Sequence, residues 1–207
     1  MLINFDEIVN KYGLPKGIIH IGAHLMEERE TYLNHGLDNT IWVEANPEIY
    51  SEIKHINNDS KELVYNYIIS DKDGEIYDFN ITNNGQSSSI LALDKHKLHH
   101  PHIFVKEIIS LKSKRMDTLL FENNINIKIY DFLNIDIQGA ELLALKGFGN
   151  LLKEIKFIYT EVNINSIYKD CALMYEIDEY LNSFGFKRVE TEMTNYEWGD
   201  ALYIKNN

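Results

Sequence analysis

The chain has 207 residues, 44% of them hydrophobic and 25% charged, a composition that suits one domain with a packed core and excludes disordered and collagen-like classes. Its formal net charge is −12 and its only arginines are Arg29, Arg115 and Arg188, which argues against a nucleic-acid-binding surface. The lone Cys171 excludes an intrachain disulfide and a cysteine-rich metal site, and it fits a reducing, cytoplasmic setting.

In chain order, Met1-Leu2-Ile3-Asn4 lacks the basic start and long apolar run of a signal peptide. No apolar run is long enough to span a bilayer, so no membrane partner is expected. Ile18–Ile21 reads as a short buried strand behind Gly17. Glu27–Asn34 suits a helix closed at Gly36, and Thr40–Glu44 a second strand. Asn46 caps a helix that has Pro47 in its first turn and runs to about residue 57. Leu63–Ile69 is the third strand.

The middle of the chain is less regular. Ile76–Ile81 alternates as an antiparallel strand does, and Phe104–Leu111 is its partner. Between them lie a Gly/Ser/Asn loop at Asn83–Ser89 and a histidine-rich loop at Lys95–His102. Residues 76–111 thus form an insertion of the kind that often serves as a lid or binding loop. Alternation resumes with a helix at Asp117–Asn123, a strand at Ile127–Ile135 ending on Asp136, and a helix at Ala140–Leu145 closed by Gly147. Phe157–Val162 is the fifth strand and Met174–Phe184 an amphipathic helix. Gly185–Glu190 and Ala201–Ile204 make a C-terminal hairpin. The strand–helix order implies a largely parallel sheet covered on both faces.

In such sheets ligands bind beyond the carboxyl ends of the strands. The residues there are His20, Gly22, Ala23 and His24, then Glu44, Ala45 and Asn46, then Ser70 and Asp71, then Asp136 and Gln138, and finally Glu161 and Asn163. Gly22 permits close backbone approach. Glu44, about 20 residues further on, is placed to accept hydrogen bonds from ribose hydroxyls. The loop lacks the Gly-x-Gly-x-x-Gly spacing and the Gly-Lys-Ser/Thr ending, so a nucleoside without phosphates, S-adenosylmethionine foremost, fits better than a dinucleotide or a triphosphate.

The residues Ile19-His-Ile-Gly-Ala-His24 and Trp42-Val-Glu-Ala-Asn-Pro47 open a stretch that resembles FkbM-type methyltransferases. Arg115-Met-Asp-Thr-Leu-Leu120 and Leu133-Asn-Ile-Asp-Ile-Gln-Gly-Ala-Glu-Leu-Leu-Ala-Leu-Lys-Gly-Phe148 are the more specific match, and Thr160–Asn163 and Trp198–Leu202 extend it. The resemblance runs from about Gly17 to Ile204. It implies a class I methyltransferase, Rossmann-like α/β fold: a mostly parallel seven-stranded sheet with a C-terminal antiparallel hairpin and an insertion between the third and fourth core strands. It also implies S-adenosylmethionine as cofactor and O-methylation of hydroxyls on sugars or similar small molecules. His20 stands where many members carry an acid that helps hold the cofactor's amino group; Asp136 or backbone carbonyls are the substitutes.

A hydroxyl acceptor needs a base or a metal. Asp136, Glu161 and His24 are the candidate catalytic residues. Gln86, Ser87, Ser88, Gln138, Glu141, Asn163 and Trp198 are the candidates for holding the acceptor, a small molecule or glycan; Glu141 serves equally to offset its helix dipole. A divalent cation on Asp136, Glu161 and Asn163 is possible but not favoured. His96, His99, His100 and His102 match no standard zinc spacing and read as a solvated loop. Oligomeric state stays open. The competing readings are a nicotinamide-dependent oxidoreductase on the same architecture and a non-catalytic glycan-binding module.

Overall fold

The computed structural model describes residues 1–55 and 61–206. Seventeen strands and α-helices occur among them. In chain order they are α1 (Phe5–Tyr12), β1 (Ile18–Ile21), α2 (Arg29–Asn34), β2 (Thr40–Val43), α3 (Pro47–Ile53), β3 (Leu63–Tyr65), β4 (Ile68–Ile69) and β5 (Ile76–Thr82). Then come α4 (His96–His99), β6 (Val105–Lys114), α5 (Met116–Glu122), β7 (Phe132–Ile135), α6 (Glu141–Phe148), β8 (Phe157–Asn163), α7 (Met174–Asn182), β9 (Phe186–Met193) and β10 (Trp198–Lys205).

Seven strands form the main sheet in the order β3-β2-β1-β7-β8-β10-β9. Every neighbouring pair is parallel except those made by β10, which runs antiparallel to both β8 and β9. The order reverses between β1 and β7, and their carboxyl ends open a crevice there. β1, β2, β7 and β8 are buried throughout, as expected of strands covered on both faces. Alternate residues feed two cores. Ile19, Ile41, Leu133 and Ile158 pack with α5, α6 and α7 residues such as Leu119, Leu145 and Ile177. Ile18, Trp42, Phe132 and Phe157 pack on the other face with Phe5 and Ile8 of α1 and Tyr32 of α2.

The insertion is a second sheet, ordered β4-β6-β5, in which β5 and β6 pair antiparallel from Ile76↔Lys112 to Thr82↔Val105. The stretch expected as one third strand is therefore two: β3 joins the main sheet and β4 pairs with β6. Asn66 marks the break, since its side chain donates to the carbonyls of Glu44 and Ala45 and turns the chain away from the main sheet. The histidine-rich segment, expected as a loop, holds the short helix α4. The fourth core strand starts later than expected, because residues 127–129 form a 3-10 turn capped by the Asn126 side chain. Gly147 lies within α6, and Gly149, at φ +52°, ends it. The expected end of the Pro47 helix at residue 57 lies outside the described residues; α3 ends at Ile53. Among the described residues no helix is long and apolar enough to cross a membrane.

Candidate active site

The crevice at the β1/β7 switch holds two connected spaces. The larger, about 520 Å³, is lined by ends of β1, β7 and β8 and roofed by the insertion. The smaller, about 60 Å³, is an apolar slot between Val43, Ile69, Phe79, Ile137 and Ala140, with Glu44 and Ala45 at one end. Gly22, His24, Gln86 and Asp136 line both.

The loop after β1 is fixed by β2. The Gly22 and Ala23 amides donate to the Val43 carbonyl at 2.9 and 3.0 Å. The His24 amide donates to Glu44 Oε2 at 2.8 Å, and the Asn46 amide donates to Glu44 Oε1 at 2.6 Å. Glu44 thus ties the first two strand-end loops together. Burial raises its pKa, and these amide donors oppose the rise. Each carboxylate oxygen keeps a lone pair for a further donor. The close approach at Gly22 differs from expectation. Its φ is +90°, and an added Cβ would sit 1.8 Å from the Asp136 carbonyl oxygen, so the glycine accommodates the chain after β7 while it also lines both spaces.

The floor of the larger space is a carboxylate pair joined by an amide. Gln138, at φ +58°, donates from Nε2 to Asp136 Oδ1 and to Glu161 Oε2, both at 2.7 Å. Its Oε1 accepts from the Tyr168 hydroxyl, and its backbone carbonyl accepts from Ser89 Oγ at 2.8 Å. Asp136 is accessible from the cavity but crowded by protein on its other sides. That crowding raises its pKa to about 6, with the Asp200 charge adding to the rise and Gln138 opposing it. Water in the cavity tempers this shift, and an acceptor filling the space restores it. Glu161 is buried, and desolvation together with Asp136 and Glu141 holds its pKa well above the ordinary range. Asn163 Nδ2 donates to Glu161 Oε1 at 3.2 Å.

Glu141 lies beneath the cavity, fully buried, and its Oε1 accepts from the Ile137 and Gly139 amides at 3.1 and 3.0 Å. Desolvation lifts its pKa to about 7. It holds the Asp136–Gly139 loop and does not line the cavity, and neither does Asn163. Ser87 and Trp198 line the larger space, and Ser88 the slot. His20 faces the larger space from β1, stacked on Trp42 at 4.9 Å between ring centroids; burial lowers its pKa to about 4. Ala23 is buried in the core on the α2 side, and Asn46 caps α3 by accepting from the Glu48 amide; neither lines a cavity.

Ser70 and Asp71 fall outside both cavities. Ser70 Oγ lies 3.0 Å from the Tyr77 hydroxyl, and the Asp71 carbonyl accepts from Arg115 Nη1 at 2.6 Å, so both anchor the insertion. The break after β3 carries them away. The structure adds residues that strand-end reasoning passed over. Asn84, His96, His100, Ile103 and Tyr168 line the larger space, brought in by the fold of the insertion and of the β8–α7 connection. Among the described residues no group of three or more His, Cys, Asp or Glu side chains is disposed to hold a metal ion.

These features fit S-adenosylmethionine. The loop amides that would serve a pyrophosphate are engaged by β2, the slot is apolar beside an acid, and the acidic floor suits a cationic sulfonium and ammonium. The fold is similar to that of Streptococcus pneumoniae Sp1610, described as a candidate tRNA (m1A22) methyltransferase, with TM-score 0.53, 10% identity, and coverage of 98% of this chain and 70% of that one. It is also similar to M. capricolum TrmK, solved with S-adenosyl-homocysteine, with TM-score 0.50, 9% identity, and coverage of 100% and 70%. A protein of the NADB-Rossmann superfamily from Streptococcus agalactiae gives TM-score 0.51, 14% identity, and coverage of 97% and 66%. At these identities the likeness carries the fold. A search of curated proteins found no match. The methyltransferase FkbM domain matches residues 20–188, and the chain therefore belongs to that family of S-adenosylmethionine-dependent methyltransferases.

Proposed function

We propose that the enzyme methylates a hydroxyl of a sugar or similar small polyhydroxylated acceptor, with Asp136 as general base. The observation that carries this reading is the Asp136–Gln138–Glu161 bridge on the floor of a roomy polar cavity. A hydroxyl is a poor nucleophile until its proton is drawn off, and a carboxylate whose pKa lies near 6 is a more effective base than an ordinary one. When bound, S-adenosylmethionine supplies a methyl group on a positively charged sulfur.

The chain's own residues do the rest. Asp136 accepts the hydroxyl proton. Gln138 fixes the carboxylate's direction, and Tyr168 fixes Gln138 in turn. Glu161, with its pKa well above the usual range, is protonated at low pH and adds a second acceptor once ionised. Gln86 and Ser87 offer polar contacts from the roof, and Trp198 an apolar face for a sugar ring. Glu44 holds the ribose hydroxyls with its remaining lone pairs.

Glu44→Ala should weaken S-adenosylmethionine binding about ten- to hundredfold, measured by calorimetry, as expected for one or two lost charge-assisted hydrogen bonds. An unchanged dissociation constant removes the ribose role. The pH profile is a second check. A base must be ionised, so kcat, which reports the complex with the space filled, should rise as pH rises through about 6 and be lost below it. A profile flat from pH 5 to about 8 would contradict Asp136 as base.

The acceptor class is tested by radiolabelled methyl transfer over glycosides, oligosaccharides, sugar nucleotides and tRNA. Transfer to a carbohydrate supports the reading; transfer to tRNA alone overturns it. The net charge of −12 favours the carbohydrate.

A further inference from the structure

We propose that the acceptor carries no phosphate or carboxylate near its reacting hydroxyl: the larger cavity admits a neutral or amino-bearing glycoside and rejects sugar phosphates and sugar nucleotides. This rests on the hydroxyl-methylation reading above and narrows its acceptor.

The argument is the charge of the walls. Four carboxyl groups line the space, Glu27, Glu28, Asp136 and Glu161, and no lysine or arginine does; burial and its acidic neighbours raise the Glu161 pKa, so the charge argument rests on Glu27, Glu28 and Asp136. Glu27 is paired with His24 Nδ1 at 2.6 Å and Glu28 with the Met1 amine at 3.2 Å. Asp136 and Glu161 are bridged only by the neutral Gln138 amide, and among the described residues neither is in an ion pair with a lysine or arginine. Three of the five imidazoles in the lining do little to offset this. Burial holds His20 and His96 at about 4, and burial with the His102 and His99 charges lowers His100, so these three are neutral at pH 7. At the outer side of α4, Lys95 and His99 face Glu197, each at 3.9 Å.

The backbone offers a phosphate no better welcome. The Gly22, Ala23 and His24 amides are all engaged within the protein. A phosphate entering this space meets carboxylates at short range and no lysine or arginine, and the terminal amine of Met1 in the wall is already paired with Glu28. Such juxtaposition is an established means of rejecting a wrong partner. A neutral polyol meets amides, hydroxyls and uncharged imidazoles instead. The reaction that supplies the substrate is then a glycosyl transfer that has already released the nucleotide, and methylation acts on the glycoside.

The test compares matched acceptors at pH 8 and low salt, where ordinary imidazoles are neutral. The same sugar is offered as a methyl glycoside, as its 1-phosphate and as its uridine diphosphate derivative. The glycoside should have kcat/KM at least about tenfold higher, and the gap should shrink as salt is added. Equal or faster methylation of the phosphorylated forms overturns the proposal. His102→Lys adds a cation to the wall at a residue outside the reacting groups. It should raise the rate of the phosphorylated forms relative to the glycoside severalfold; an unaltered ratio counts against the charge argument.

If no sugar of any charge is methylated, the hydroxyl reading falls and the charge rule is judged separately. Calorimetry of the S-adenosylhomocysteine complex with uridine diphosphate and with inorganic pyrophosphate should then show no binding at millimolar concentration. Saturable binding with Kd below about 0.1 mM would defeat it.

Discussion

Asp136→Asn should lower kcat by about 10² to 10⁴, the range expected when a general base is removed, while S-adenosylmethionine still binds. The same substitution should raise thermal stability at neutral pH. Asp136 titrates near 3.9 in an unfolded chain, and crowding by the folded protein pushes it up to about 6, less so while the cavity side stays open to solvent. Between those values the folded state binds more protons than the unfolded one, so this residue's effect is to make stability fall as pH rises from about 4 to about 6. Above that window its destabilising effect is fully present; below it the effect is gone. An amide at residue 136 does not ionise and escapes it.

Scanning calorimetry should therefore show the variant melting above the native protein at pH 8, with the two converging near pH 4. Single-turnover kinetics with saturating cofactor supply the other half of the test. A variant with native kcat would eliminate Asp136 as base. One that loses cofactor binding and turnover together would place it among the cofactor contacts instead.

Gly22→Ala should destabilise the protein by about 3 kcal/mol or more, the scale of a severe steric and backbone conflict. Two costs add. The residue sits at φ +90°, a conformation that residues with a Cβ rarely adopt. The added methyl would also lie 1.8 Å from the Asp136 carbonyl oxygen, which belongs to the rigid end of β7. β1 and β7 are the central pair of the sheet, joined in register from Ile18↔Phe132 to Ile21↔Ile135. Parting them would displace the Asp136 carboxylate as well. A midpoint in urea within error of the native value would refute this account.

The parts of the fold that were legible are those where one physical rule acted alone. The buried strands at Ile18, Thr40 and Phe157 read as short runs rich in apolar residues, and Asn46-Pro47 marks a helix start that the structure matches, Asn46 accepting from the Glu48 amide. Ile76–Ile81 alternates as an antiparallel strand does, and its partner is the stretch that follows Phe104. Where two rules competed, boundaries moved. Leu63–Ile69 is one apolar run, yet Asn66 divides it between two sheets by bonding to carbonyls distant in sequence. α1 was passed over although its pattern was present. Asn4 caps it, Asp6 and Glu7 fill the first turn, and Phe5 and Ile8 face the core.

The candidate site divides in the same way. Strand-end logic reached Asp136, Gln138 and Glu161, because a β-strand delivers its last residue to a predictable edge. Ser70 and Asp71 failed that logic once β4 left the main sheet. The roof residues Asn84, His96 and His100 arrive through an irregular insertion whose path no periodicity encodes.

The placement of the two tryptophans gives the molecule separate optical reporters. Trp198 lines the larger cavity, so its emission should respond when an acceptor displaces water from that wall. Trp42 is fully buried, its indole N–H donating to Glu62 Oε1 at 3.0 Å and its ring stacked on His20, which stays neutral down to about pH 4. A protonated imidazole there would quench it, so Trp42 fluorescence should hold steady across the working pH range and change only when the core opens. One protein without any label can therefore report ligand entry and unfolding as distinct signals.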